Sequence, residues 1–286
     1  MIYISHGVVP CWSNNRISHA LFLPESRVER HLQVRRTKYA PLAQALNGDG
    51  DALTIDDATY GGLKLALLAR QYGHAVSWFV NGSNVEHGTQ YYPFQLSSML
   101  DRTRLSECQF ADRSWELQTM AGRRALRLRI KQAYMRLRSQ NEIEQLIQSL
   151  ACSLRLDAAA MENSLATVGP AELAQAVVAG VDLQNHGWSH LNPQVSSERK
   201  RTAEVRQNEE YLSQFRKAIT CVYAPPFGQQ VSLASVPAQF VLLADRNLVS
   251  GHLEGNLVNR GDLRMNDFTG SIPDQASYGR NGRIAA

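Results

Sequence analysis

Leu53-Thr54-Ile55-Asp56-Asp57-Ala58 is the stretch that decides how the rest of the chain is read. Ala52-Leu53-Thr54-Ile55 suits a buried strand of a parallel sheet, where both faces are covered and the sequence runs apolar without alternation. Asp56 and Asp57 then fall at the carboxyl end of that strand, which is where α/β sheets and barrels keep their ligands. Side chains alternate along a strand, so two adjacent carboxylates face different ways and can divide their duties. One can hold a metal while the other handles a proton. Taken alone, Asp-Asp after a strand reads more simply as turn and N-cap chemistry, so the choice rests on what surrounds it.

Outward from this stretch the chain alternates strands and helices. Before it, Met1 to Pro10 reads as a short buried strand ending in a His6-Gly7 turn, and mixed helical pieces follow between Pro24 and Leu46. Asn47-Gly48-Asp49-Gly50-Asp51 is a loop. After it, Ala58 to Gly62 reads as a turn, Leu63 to Ala69 as a helix ending near Gly73, and Ala75 to Val80 as a second buried strand. Strand, helix and strand within about thirty residues make a right-handed parallel βαβ unit. Residues 90–165 break the rhythm with a helical insertion, its longest helix expected over Ala121 to Leu156. One face of that helix is apolar and the other carries Arg123, Arg124, Arg127, Arg129, Lys131, Arg136 and Arg138. Such a face is ordinarily just solvated; the functional alternative is a basic wall beside an anionic substrate. The rhythm returns with strands at Val181 to Asn185, Thr220 to Ala224 and Phe240 to Ala244. From about residue 270 the composition suits a mobile tail. No internal repeat or linker is evident, so one α/β domain spanning 1–286 is expected.

Bulk composition narrows the class. With 286 residues, 44% hydrophobic and 20% charged, the chain can bury a sizeable core. A net charge of +4 is too weak to imply nucleic acid. Cys11, Cys108, Cys152 and Cys221 are widely spaced with no C-x-x-C pair, which fits reduced thiols. No signal-peptide pattern and no long apolar run is present, so the expectation is a cytoplasmic protein without a transmembrane segment.

Three strand ends carry the chemistry. One supplies Asp56 and Asp57, one supplies His186-Gly187-Trp188-Ser189-His190, and one supplies Pro225-Pro226-Phe227-Gly228. Two histidines four residues apart reach one metal if the backbone is helical or tightly turned there. With a carboxylate they form a two-histidine, one-carboxylate set, suited to Zn²⁺, Fe²⁺, Co²⁺ or Mn²⁺.

With these motifs in place, the sequence resembles the polysaccharide deacetylase family (NodB homology, carbohydrate esterase family 4). Thr54-Ile55-Asp56-Asp57-Ala58 resembles the family's T-F-D-D-G, His186 to His190 its H-x-x-x-H, and Ala224 to Gly228 its turn ending P-[YF]-G. Ile4-Ser5-His6-Gly7-Val8 resembles the Y-H-x-V opening of one branch. The resemblance implies an incomplete (β/α)₇ barrel of the NodB type. It implies Asp57, His186 and His190 as ligands of a divalent metal, Zn²⁺ first, with Co²⁺, Mn²⁺, Fe²⁺ or Ni²⁺ as alternatives. Asp56 would be the catalytic base. The general acid would be His6, with His252 second. Phe227, Trp188 and Asp245 would line the substrate or oxyanion site. Two positions depart from the pattern. Ala58 replaces a glycine and could crowd the turn, and Ala224 replaces the arginine that orients the base in many members.

The activity so implied is removal of an N-acyl group, acetyl first, from an amino sugar on a small-molecule or glycan-precursor substrate. Hydrolysis of a non-sugar amide, formamide or cyclic imide is the alternative within the fold. A catalytically silent carbohydrate- or metabolite-binding protein is the alternative outside enzymology. Oligomeric state is left open by the sequence.

Overall fold

Strand Ala52–Asp56 is buried at all five residues, as its unbroken apolar run requires between two parallel neighbours. The structure, a computed structural model, describes residues 1–158, 160–216, 221–229, 238–244, 251–252 and 256–263, with backbone only for 251, 252 and 262. Ala52–Asp56 pairs with Ile2–Ser5 on one side and Ser77–Val80 on the other, both parallel. The parallel order continues through Asp182–Asn185, Val222–Tyr223 and Phe240–Leu243 to Leu257–Asn259.

The chain then passes through Arg260, and Gly261–Asp262 pairs with Ile2–Ser5. One extended segment therefore touches both edges of the sheet. Counting that segment once, seven parallel strands follow one another in chain order around a nearly closed barrel, with its seam at Arg260. Gly251–His252 adds an antiparallel piece against Leu257–Asn259. This is the incomplete (β/α)₇ barrel that the resemblance implies.

Helix Tyr60–Gln71 follows the central strand, capped by Thr59, whose hydroxyl accepts from the Gly62 N–H. Gly61 and Gly62, expected as a turn, form its first turn instead. They are there for closeness. A Cβ on Gly61 would lie 2.6 Å from the Val8 carbonyl oxygen, and one on Gly7 would lie 2.4 Å from the Gly61 backbone. Gly7 also sits at φ +132°, open to glycine alone. The end of the first strand, carrying His6, is thereby pressed against the start of this helix.

The insertion is helical with one addition. Helices Tyr92–Arg102, Met120–Tyr134 and Gln140–Leu154 enclose a second apolar core that includes Leu96, Leu100, Leu126, Ile130 and Leu150. The single helix expected over 121–156 is broken after Tyr134, and Ser139 and Glu142 form a capping box that starts the next one. A hairpin of Glu107–Phe110 with Arg113–Glu116 was not expected. The expected tail beyond 270 lies outside the described residues. Among those described, no helix is long and apolar enough to cross a membrane.

Candidate active site

Three residues with left-handed backbone, none of them glycine, meet at the carboxyl end of the barrel: Asp57 at φ 66°, His190 at φ 52° and Phe227 at φ 64°. Residues held in such conformations cluster where function over-determines them. The left-handed residue after the strand is Asp57 and not Ala58, so the alanine crowds nothing. Its methyl is buried in the core and its N–H donates to the Tyr91 hydroxyl at 2.8 Å. Trp78 Nε1–H donates to the Asp57 carbonyl at 2.8 Å. Two buried aromatic side chains thus pin the turn that re-aims Asp57.

Asp57 Oδ1 faces His186 Nε2 at 3.4 Å and His190 Nε2 at 3.1 Å. All three residues are buried, and their potential ligand atoms lie within 4.8 Å of one another. His186 Nδ1 sits 2.6 Å from the Ala224 carbonyl. A carbonyl only accepts, so Nδ1 carries the hydrogen and Nε2 presents a lone pair. The segment between the histidines is a tight turn, not a helix. Asn81 donates to the His186 and Gly187 carbonyls, Tyr92 OH donates to the His190 carbonyl, and Glu204 accepts from the backbone and hydroxyl of Ser189. Phe227 seats its ring on His190 with centroids 4.9 Å apart, and Tyr92 and Tyr134 complete the aromatic wall.

Asp56 has a partner that the sequence did not disclose. Arg260, at the barrel seam, donates to both of its carboxylate oxygens, each bond 2.7 Å long. The guanidinium also donates to the Thr54 hydroxyl at 3.1 Å and lies over the Phe79 ring. The base aspartate is therefore not without an arginine, as the alanine at 224 suggested. The arginine comes from a different strand, and Ala224 instead supplies the carbonyl that fixes His186. Burial works against ionisation of Asp56, but the Arg260 charge outweighs it and holds the carboxyl below its usual range. Asp57 is likewise held far below that range, since the two imidazoles of His190 and His186 beside it outweigh its burial.

His6 stands on the far side of Asp57, its Nε2 3.9 Å from Oδ2, with its side chain 22% exposed. Burial lowers its pKa, with Asp57 and Asp56 pulling the other way. The structure thus brings together Asp56, Asp57, His6, His186, His190 and Phe227. Trp188 goes elsewhere: its ring packs edge-on to Tyr211 and His87 and joins the main core. Asp245 and the side chain of His252 lie outside the described residues.

The orphaned atoms test the fit of a metal. Asp57 Oδ1 and His190 Nδ1 are buried without a hydrogen-bond partner. In the tautomer fixed by Ala224, the His186 lone pair faces a carboxylate oxygen, an arrangement that calls for a cation between them. His186 itself is pushed above its usual pKa, since Asp56 and Asp57 outweigh its burial, which again marks a cluster short of positive charge. One carboxylate and two imidazoles are a fitting donor set for a divalent transition ion.

A carboxylate pair and two histidines converging at the mouth of a parallel barrel define a candidate hydrolytic centre. The chain belongs to the polysaccharide deacetylase family, whose profile matches residues 47–235, and it is thereby a hydrolase of amide carbon–nitrogen bonds. No curated protein matches the chain. Two solved structures share its fold. The deacetylase PplD of Streptococcus pyogenes, in complex with acetate, is 11% identical with a TM-score of 0.55, covering 92% of this chain and 91% of its own. IcaB from Ammonifex degensii is 10% identical with a TM-score of 0.54, covering 94% and 93%.

Proposed function

We propose that this protein is a metal-dependent deacetylase that removes the N-acetyl group of an amino sugar in a glycan or glycan precursor. The observation that carries the proposal is the convergence of Asp57, His186 and His190 on one point beside a buried, arginine-held Asp56. Asp57, His186 and His190 would hold a divalent ion, Zn²⁺ first, which when bound polarises an amide carbonyl and acidifies water.

The chain's own residues supply the remainder. Asp56, ionised and fixed by Arg260, takes the proton of the attacking water. His6 gives a proton to the departing amine, a role supported by its partial exposure beside Asp57. The aromatic wall of Phe227, Tyr92 and Tyr134 shields His190. Family membership and the acetate named with PplD support the choice of acyl group.

The test is acetate release across N-acetylated sugars, N-formyl compounds, cyclic imides and simple amides, with and without chelator. Acetate from an amino sugar, lost with chelator and in Asp56→Asn, is the expected result. Turnover confined to a non-sugar amide would replace the substrate assignment. Bound sugar without turnover by the metal-loaded protein would replace the enzymatic one.

A further inference from the structure

From Leu117 to Asn141 the chain contains seven basic residues and no acidic one. With a net charge of +4 over all 286 residues, the remainder is net acidic. Seven of the thirty lysines and arginines thus lie in one run without an opposing acid, helix Met120–Tyr134 and the turn that follows it. Within that piece the arginines divide. Arg123 and Arg127 turn inward, to the Leu117 carbonyl and the Ser97 hydroxyl. Arg124, Arg129 and Arg136 are exposed and have no ion pair among the described residues. The acids at either end are occupied: Glu116 accepts from Thr119, and Glu142 from Arg138 and Ser139.

The same face holds Ala121, Ala125 and Gln132, all exposed, and Leu128, which is 56% exposed between Arg124 and Arg129. Among the described residues, only Met1, Val34 and Val178 join Leu128 as large apolar side chains left to solvent. The buried side of the helix ends at Tyr134, whose ring packs on Tyr92 and Phe227 around His190. The carbonyl of Met135 accepts from Asn192, two residues past His190. The basic face and the candidate active site are therefore joined through one helix.

We propose that the Arg124–Leu128–Arg129–Arg136 face docks the protein on an anionic lipid bilayer, beside the entrance to the hydrolytic centre. From Arg124 to the helix end at Tyr134 is ten residues, roughly 15 Å at the helical rise, and Arg136 lies in the turn beyond. That is too far to clasp one phosphate and suits a surface carrying many. Guanidinium groups pair with phosphate oxygens in a fork. An exposed leucine among them has no purpose toward a soluble polyanion, but it inserts at the headgroup boundary. The inference does not depend on which acyl group the enzyme removes.

The experiment is co-sedimentation of the full chain with phosphatidylcholine vesicles, with and without about a third phosphatidylglycerol, over a salt series. Binding only to the anionic vesicles, weakening with salt, is expected. At about 1 kcal/mol per basic residue near such a surface, the Arg124→Gln/Arg129→Gln/Arg136→Gln variant binds roughly a hundredfold less tightly. Leu128→Ser weakens binding at high salt, where the charge contribution is screened. Circular dichroism and turnover of a soluble substrate stay unchanged in both. Equal binding to neutral vesicles, no binding to either, or binding of soluble polyphosphate with no vesicle binding each overturns the proposal. Vesicle binding is read without turnover, so its failure is separable from failure of the deacetylase assignment.

Discussion

Arg260→Met severs the tie between the barrel seam and the base. The wild-type pair is buried on both sides, with side-chain exposures of 0% for Arg260 and 5% for Asp56. Removing one partner of a buried pair costs on the order of 3–5 kcal/mol, because the other charge is left uncompensated. At about 2 °C per kcal/mol for a chain of this size, the melting temperature falls by roughly 6–10 °C. Function changes in a second, distinguishable way. In the wild type Asp56 is held below its ordinary pKa. Its ionised pairing therefore stabilises the fold above the unfolded carboxyl value and is lost as pH falls through the folded value. In the variant burial is opposed only by the weaker pull of His186 and His6, and the pKa moves upward, above the ordinary value. The acid limb of kcat/KM then shifts to higher pH, and stability declines as pH rises past the unfolded carboxyl pKa. Metal content, read by elemental analysis, stays near wild type because Asp57, His186 and His190 are untouched. Arg260→Lys restores one hydrogen bond and recovers part of each effect. A variant with wild-type acid limb and wild-type melting temperature would refute the assignment of Arg260 as the residue that holds Asp56.

Three further outcomes are expected. His6→Gln lowers kcat by about 10²–10⁴, the usual worth of a general acid, with metal affinity retained; an undiminished kcat would move that role elsewhere. Tyr91→Phe leaves the Ala58 N–H without its partner and costs about 1–3 kcal/mol in urea unfolding, accompanied by weaker metal binding as the Asp57 turn loosens. Gly7→Ala forces a Cβ against the backbone of Gly61 at φ +132°, so it destabilises the protein more than a typical surface change and lowers activity through His6; near-wild-type stability would show that this contact is slack.

Much of the fold was legible because parallel strands announce themselves. Ala52–Asp56 and Ser77–Val80 are short apolar runs bounded by loop residues, and nothing else reads that way. The candidate metal site was legible because Asp57, His186 and His190 stand at strand ends in a recognisable order. Arg260 was not, since its partner is 204 residues away in sequence. It also lies between two strand pieces of three and two residues, too short to show a pattern. The hairpin at 107–116 was hidden by its turn. Ala111 and Asp112 are both left-handed, a turn ordinarily marked by Asn-Gly, and here no glycine marks it. The break after Tyr134 could have been found, since Ser139 followed three residues later by Glu142 is a helix-start pattern. Trp188 misled because its place between His186 and His190 suggested that it lines the substrate site. On a tight turn with Gly187 at φ 80°, neighbouring side chains diverge, and the indole leaves for the core.

The closing segment 257–262 carries a consequence for biosynthesis. A ribosome delivers Asp57, His186 and His190 by residue 190, yet the guanidinium that fixes Asp56 emerges some seventy residues later. Until then both barrel edges are unpaired and Asp56 is buried without its counter-charge. Completing the sheet and pairing Asp56 are the same event, so a chain halted before Leu257 can gather Asp57, His186 and His190 but leaves Asp56 without its arginine. The Asp56–Arg260 pair thereby reports that the barrel has closed.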